Sequence, residues 1–352
     1  MISSKLVLET GDTFSGRSPS EQDPIALGEV VFTTGMTGYV ESLTDPSYAD
    51  QILVFTYPLI GNYGVPDSKT WESKKIHASG VVICELSPTF SHYHAEKHFL
   101  NWLSEQKVAL ITNVDTRALT KRLRKEGVAL GAICLKDQMP EKFYDPHKEY
   151  LVKKVSIPQK TRFGKGKKRL IAVDFGMKEN LIRSLLQFDW TIDRVPYDYD
   201  YSEEEFDGLF LSNGPGNPGL YKIPVAILRK ALKRRKPIFG VCMGAQLLGL
   251  AAGAKIFKLK FGHRSHNQPC IDLETNRCIL TSQNHGWAIE AHTLSKNWKV
   301  LFENLNDHTV EGIAHKKYPF SAVQFHPESN PGPMDSEYLF ERFYKQVADA
   351  TV

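Results

Sequence analysis

From Leu170 onward, apolar runs alternate with helical periodicity, and this alternation restricts the fold more than any other feature of the chain. Leu170-Ile171-Ala172-Val173 reads as a buried strand, and Glu179 to Phe188 has helical spacing. Strands recur at Gly208-Leu209-Phe210-Leu211 and Pro237-Ile238-Phe239-Gly240-Val241, with helices near 223–235 and 243–252. Continuous apolar strands separated by helices predict an α/β fold: an open, mainly parallel sheet flanked by helices. In such sheets functional groups gather at the carboxyl ends of strands.

The preceding half has a different texture. Leu6-Val7-Leu8-Glu9, Gly11-Asp12 and Thr13-Phe14 form a hairpin pattern. Val30-Val31-Phe32-Thr33, Ile52-Leu53-Val54-Phe55-Thr56 and Gly80-Val81-Val82-Ile83-Cys84 are further strand-like runs. Helical spacing appears only around 94–105 and 116–125, the second with Asp115 as N-cap. This predicts an N-terminal β-rich mixed domain. A length of 352 residues accommodates two domains.

The boundary is marked by charge. Between Leu151 and Val173 lie eight Lys or Arg residues and no acid, although the whole chain is only +4. Pro158, Gly164 and Gly166 interrupt the same stretch. The expected division is therefore 1–155, a basic linker 156–168, and 169–352. The basic run reads as solvated chain, because no aromatic residues are interleaved for base stacking, so no nucleic-acid partner is expected.

Five widely spaced cysteines without a C-x-x-C argue against a disulfide framework or a zinc site and fit a reducing, cytoplasmic setting. No apolar run is long enough to span a membrane, and the first residues do not resemble a secretory signal.

Gly240-Val241-Cys242-Met243-Gly244 lies where an apolar strand passes into a helix. It has the spacing of a nucleophile elbow with Cys as nucleophile. A helix opening at Met243 directs its positive end at the sulfur, which favours the thiolate. A buried structural cysteine is the alternative. A thiol nucleophile needs a base, and the base needs an orienter. His326-Pro327-Glu328 follows the strand-like run Ser321-Ala322-Val323-Gln324-Phe325. Two positions apart on a segment kept extended by Pro327, the carboxylate can fix the imidazole.

Asn213-Gly214-Pro215-Gly216-Asn217-Pro218-Gly219 formally matches G-x-G-x-x-G. Two prolines interrupt it, and Arg234-Arg235-Lys236 occupies the region where a dinucleotide fold places its acid. These glycines read instead as a close backbone approach beside the elbow. No P-loop pattern occurs, so no ATP site of that type is expected here.

Together, Ser212-Asn213-Gly214-Pro215-Gly216, Gly240-Val241-Cys242-Met243-Gly244-Ala245-Gln246 and His326-Pro327-Glu328 resemble the class I, or triad, glutamine amidotransferases. The earlier half adds Gly28-Glu29-Val30-Val31-Phe32, Met36-Thr37-Gly38-Tyr39, Leu43-Thr44-Asp45-Pro46-Ser47-Tyr48 and Asp115-Thr116-Arg117-Ala118-Leu119-Thr120. With these, and with Phe261-Gly262-His263-Arg264 and Gln283-Asn284-His285-Gly286, the chain resembles the small, glutamine-hydrolysing subunits of carbamoyl-phosphate synthetase. The resemblance implies the class I glutamine amidotransferase fold for 169–352 and a partner-binding role for the N-terminal domain. It implies Cys242 as nucleophile, His326 as base then acid, and Glu328 as orienter. Backbone N–H groups of Met243 and Gly214 would form the oxyanion hole. Gly216, Gln246, Asn284, Gly286 and Trp287 would line the L-glutamine pocket, and Ser47 would help hold the substrate's α-groups. No metal or cofactor is implied in this chain. ATP, Mg and bicarbonate would belong to a large synthetase subunit, which Arg229, Lys230, Lys233, Arg234, Arg235 and Lys236 could contact if they are not simply a solvated face.

Two positions depart from the family pattern: Ala245 stands where many relatives have His, and Trp287 where Phe is usual. Neither is a triad member, so the expected effect is on packing. The competing readings are an amidotransferase serving another synthase, which the N-terminal motifs disfavour, and a non-catalytic regulatory subunit, which the joint presence of Cys242, His326 and Glu328 disfavours.

Overall fold

A computed structural model describes residues 1–23 and 25–350. The chain divides into two compact units, Met1–Glu149 and Tyr150–Val352. The division falls earlier than the basic run, all of which belongs to the second unit.

The first unit is built on a seven-stranded sheet. Its strands lie in the order Thr13–Ser18, Ile2–Leu8, Ala129–Leu135, Ile25–Thr33, Gln51–Phe55, Gly80–Val82 and Ala109–Ile111. The first two form the expected antiparallel hairpin, with Val7 opposite Thr13. The last four strands run parallel to one another. Three helices of this unit pack with the apolar sheet, Tyr39–Thr44, Phe99–Glu105 and Thr116–Glu126. The third starts as expected: Asp115 accepts from the Ala118 N–H at 2.8 Å, satisfying one of the first-turn donors.

In the second unit, five adjacent strands are parallel: Trp190–Pro196, Lys168–Asp174, Gly208–Leu211, Ile238–Val241 and Phe320–Val323. Their side chains alternate between two cores. Ile171, Val173, Leu209, Leu211 and Ile238 face a cluster completed by the helices Lys222–Leu232 and Met243–Ala251. Leu170, Ala172, Phe210, Phe239 and Val241 face a second cluster, completed by the helices Glu179–Leu185 and Tyr338–Asp349. Both faces are therefore buried, which is why these strands read as unbroken apolar runs.

Beyond Phe320–Val323 the ten-stranded sheet turns antiparallel, through Val310–His315, Arg277–Ile289, Ile256–Asp272 and Trp298–Asn304. The two longest strands, 256–272 and 277–289, are polar and have register shifts after Lys258 and Ser265. The alternation rule therefore does not reveal them.

The basic run is not a free linker. Thr161–Phe163 is an edge strand paired with Trp190–Pro196, and Arg162 makes a fork to both oxygens of Asp193 at 2.6 and 3.0 Å. Lys160 and Arg169 also reach the buried Asp193, whose carboxyl pKa is held down to about 2 by these cations against the cost of burial. The later basic residues are also engaged within the chain. Lys230 pairs with Asp200, and Arg234 and Lys236 pair with Glu205. Among the described residues, no helix is long and apolar enough to cross a membrane.

Candidate active site

Four neighbouring parallel strands deliver the site residues at their carboxyl ends. Lys168–Asp174 leads to Lys178, Gly208–Leu211 to Asn213 and Gly214, Ile238–Val241 to Cys242, and Phe320–Val323 to His326 and Glu328. The elbow is stitched to both neighbours. The Cys242 N–H donates to Val323 O, and the Gly244 N–H donates to Ser212 O, each at 2.9 Å.

Cys242 has φ 52° and ψ −103° as N-cap of the helix Met243–Ala251. A non-glycine residue with this backbone is strained and is held there only by its surroundings. Gly244 makes the turn possible, because a Cβ there would lie 2.3 Å from Leu211 O. Gly214 is needed for the same kind of reason, since a Cβ would fall 2.2 Å from Phe175 O. The Met243 N–H belongs to the first helical turn and has no acceptor within its own helix.

His326 and Glu328 are fully interior. His326 Nδ1 lies 2.7 Å from Glu328 Oε1. The same oxygen accepts from Lys178 Nζ at 3.0 Å, and Lys178 also donates to Ser329 O at 2.7 Å. Asn180 Nδ2 donates to Glu328 O at 2.7 Å. Burial would raise the Glu328 pKa, but the charges of Lys178 and His326 overcome it and hold the carboxyl near 2. Burial would lower that of His326, but the Glu328 charge and the adjoining Cys242 outweigh it and raise the imidazole to about 10. The orienter is thus an anion and the base carries a proton near neutrality. His326 Nε2 is buried without a hydrogen-bond partner among the described residues.

Of the glutamine-pocket candidates of this unit, Asn284 is the one seen in contact with the sulfur. Cys242 Sγ lies 3.6 Å from Asn284 O. Gln246 is buried, and its amide donates to Trp287 O at 3.0 Å and Gln324 Oε1 at 3.2 Å, so its first task here is to fix the 284–287 strand. Gly286 is tight against Arg264, which would come within 3.2 Å of a Cβ. Gly216, at φ 90°, makes the turn after Gly214 and packs against Tyr221 Oη. Ala245 is buried in the core beneath the helix. Ser47 belongs to the first unit, buried in the turn Pro46–Tyr48 with its N–H on Asp45 Oδ1 at 2.8 Å.

Sequence reasoning missed Lys178. It lies 150 positions before Glu328, in a stretch without a recognised motif, and only the parallel sheet brings the two together. Its one local signal is its place, just past the end of a buried strand.

The same unit contains a second buried histidine–carboxylate array. His263, His285 and Glu311 present ligand-type atoms within 4.8 Å of one another, the arrangement a metal ion could use. Those atoms already serve hydrogen bonds. His263 Nε2 lies 2.9 Å from Asp307 and Nδ1 3.1 Å from Glu311, while His285 Nδ1 donates to Trp287 O at 2.9 Å. Burial works against the His263 cation, but Asp307 and Glu311 raise its pKa to about 9.

The family model of class I glutamine amidotransferases matches residues 171–346, and that of the carbamoyl-phosphate synthase small chain, CPSase domain, matches residues 6–133. The arginine-specific small chain of carbamoyl phosphate synthase from Saccharomyces cerevisiae is 44% identical, over 97% of this chain and 87% of the relative. The chain belongs to the carbamoyl-phosphate synthase small-chain family.

Other members of this family are embedded in longer proteins. Multifunctional protein CAD of Squalus acanthias is 46% identical over 98% of this chain, which spans only 16% of that protein. Multifunctional protein URA2 of S. cerevisiae is 42% identical, and this chain spans 17% of it. The amidotransferase match covers the elbow, the His-x-Glu and Lys178, whereas Ser47 lies within the small-chain domain match.

Proposed function

We propose that this chain hydrolyses L-glutamine at Cys242 and passes the ammonia to a large synthetase subunit, which makes carbamoyl phosphate from bicarbonate. The observation that carries the reading is the strained Cys242 backbone at a helix N-terminus, beside an imidazole–carboxylate pair on the next strand end.

The chemistry follows from these positions. Cys242 Sγ attacks the side-chain amide carbon, and the oxygen takes the charge at the Met243 and Gly214 N–H groups. The C–N bond breaks as the proton on His326 moves to the leaving nitrogen, giving ammonia and a γ-glutamyl thioester. Water then attacks the thioester as His326 accepts its proton, and glutamate leaves, its carboxyl proton passing to solvent, with the Cys242 thiolate and protonated His326 restored. Glu328 keeps the imidazole aligned and stabilises its cation. Lys178 keeps Glu328 anionic.

The chain has no P-loop pattern, and its one G-x-G-x-x-G match is interrupted by two prolines, so ATP and Mg are assigned to the large partner, as a separate subunit or as part of a longer protein. The relatives' names attach to both arginine and multifunctional systems. The test is to assay glutamate release by the chain, then reconstitute it with a large subunit. With Cys242→Ser the complex should stop using glutamine yet still make carbamoyl phosphate from an ammonium salt. A complex that assembles but uses neither donor would contradict this division of labour.

A further inference from the structure

A second histidine adjoins the triad and has no role in the steps above. In the long hairpin, Ser265 lies opposite Gln283 and Gln268 opposite Thr281. Two residues, His266 and Asn267, therefore face the single residue Ser282. This is a β-bulge, a device that re-aims side chains beside active sites. Ser282 is also bridged antiparallel to His326, whose N–H donates to Ser282 O at 2.8 Å. Residues directly opposite in such a pair point to the same face, so the Ser282 and His326 side chains share one.

The bulge brings His266 Nδ1 to 3.1 Å from Ser282 Oγ. Ser282 Oγ donates its only proton to Pro331 O at 3.0 Å. A carbonyl cannot donate, so both bonds exist together only if His266 carries its proton on Nδ1 and donates. Pro331 lies in the loop that immediately follows Glu328. The other side of that loop is held by Lys178 and Asn180. Removal of either restraint would let the Glu328 carboxylate drift from His326 Nδ1. The neutral imidazole this requires is maintained by burial and by the positive charges of Lys178 and His326, which push the His266 pKa down to about 4.

We infer that His266 is a positioning residue for glutamine hydrolysis: through Ser282 it anchors the 329–333 loop and so keeps Glu328 aligned on His326. This rests on the glutaminase reading for its kinetic consequence, but not for its geometry. A slack orienter should lower kcat with little change in KM, because the glutamine-pocket strand 284–287 is held separately by Gln246 and His285.

The experiment compares His266→Ala, which removes the donor, with His266→Asn, whose amide N–H can replace Nδ1–H, and with Ser282→Ala. The full-length chain is used throughout. Glutamate release should fall about 10-fold in kcat for His266→Ala and Ser282→Ala, the scale of a small misplacement of reacting groups. KM should stay within about 3-fold, and His266→Asn should recover most of the rate. Iodoacetamide alkylation of Cys242 gives a readout that needs no glutamine, and should slow in His266→Ala and recover in His266→Asn. Wild-type alkylation and turnover in His266→Ala would overturn the inference. So would a His266→Asn variant as slow as His266→Ala while melting at the wild-type temperature. If the wild-type chain releases no glutamate, the glutaminase reading fails, and the alkylation series alone decides the role of His266.

Discussion

Among the described residues, the second unit contains two buried arrays that pair histidine with carboxylate, and of these His326 with Glu328 lies beside Cys242. In one, His326 shares Glu328 with Lys178. In the other, His263 sits between Glu311 and Asp307, with His285 at its edge. Both histidines are raised against the cost of burial, to about 10 at His326 by Glu328 and Cys242 and to about 9 at His263 by Asp307 and Glu311. The difference is what the second ring nitrogen faces. Both nitrogens of His263 are committed to carboxylates, so its proton is structural. His326 spends Nδ1 on its orienter and leaves Nε2 buried and uncommitted among the described residues, with Cys242 among the groups that act on the ring. A raised histidine pKa therefore does not identify a base; an uncommitted nitrogen beside a strained nucleophile does.

Breaking the first array should have the larger catalytic effect. Cys242→Ser should cut glutamine hydrolysis by about 10³-fold or more, because the residues of a triad act as a unit. Its melting temperature should stay near wild type. Glu328→Gln comes next, with kcat reduced by about 10- to 10³-fold, less than the loss for the same change in a serine triad. NMR titration of the His326 ring should show its pKa fall from about 10 in that variant. An unshifted ring would mean that Glu328 is not what holds the proton.

Breaking the second array should cost stability rather than rate. Glu311→Gln leaves His263 with Asp307 alone, and removing one member of a buried ion pair costs about 3 kcal/mol. The effect on kcat should remain within about 3-fold, since neither Cys242 nor His326 is hydrogen-bonded to this array, whereas KM should rise, because Glu311 also contacts His285, which holds the 284–287 strand. The pH dependence has a definite sign. His263 has a folded pKa above its ordinary 6.5, so its contribution is fully present below that value and is lost as pH rises through about 9. The stability gap between wild type and Glu311→Gln should narrow over that range in urea unfolding series. A gap that widened with pH would put the proton elsewhere.

The parts of this account that were legible in the sequence are those whose geometry is local. A strand, a tight turn and a helix place Cys242 within five consecutive residues, Gly240 to Gly244, and His326 with Glu328 needs only an extended tripeptide. The central strands were legible because both faces are buried. Lys178 was not, because its partner is reached through the fold. The strands 256–272 and 277–289 were not, because polar content and bulges break their alternation. The basic run read as solvated chain because Asp193, which neutralises part of it, lies on another strand.

The comparison reduces to whether Cys242 is the sulfur that the first array activates. The direct measurement is to treat the full-length chain with a glutamine-analogue electrophile and locate the adduct by mass spectrometry. The account predicts one adduct, on Cys242, slowed in Glu328→Gln and, at saturating reagent, unchanged in Glu311→Gln. Modification of Cys84, Cys134, Cys270 or Cys278 in preference, or equal labelling in both variants, would contradict it.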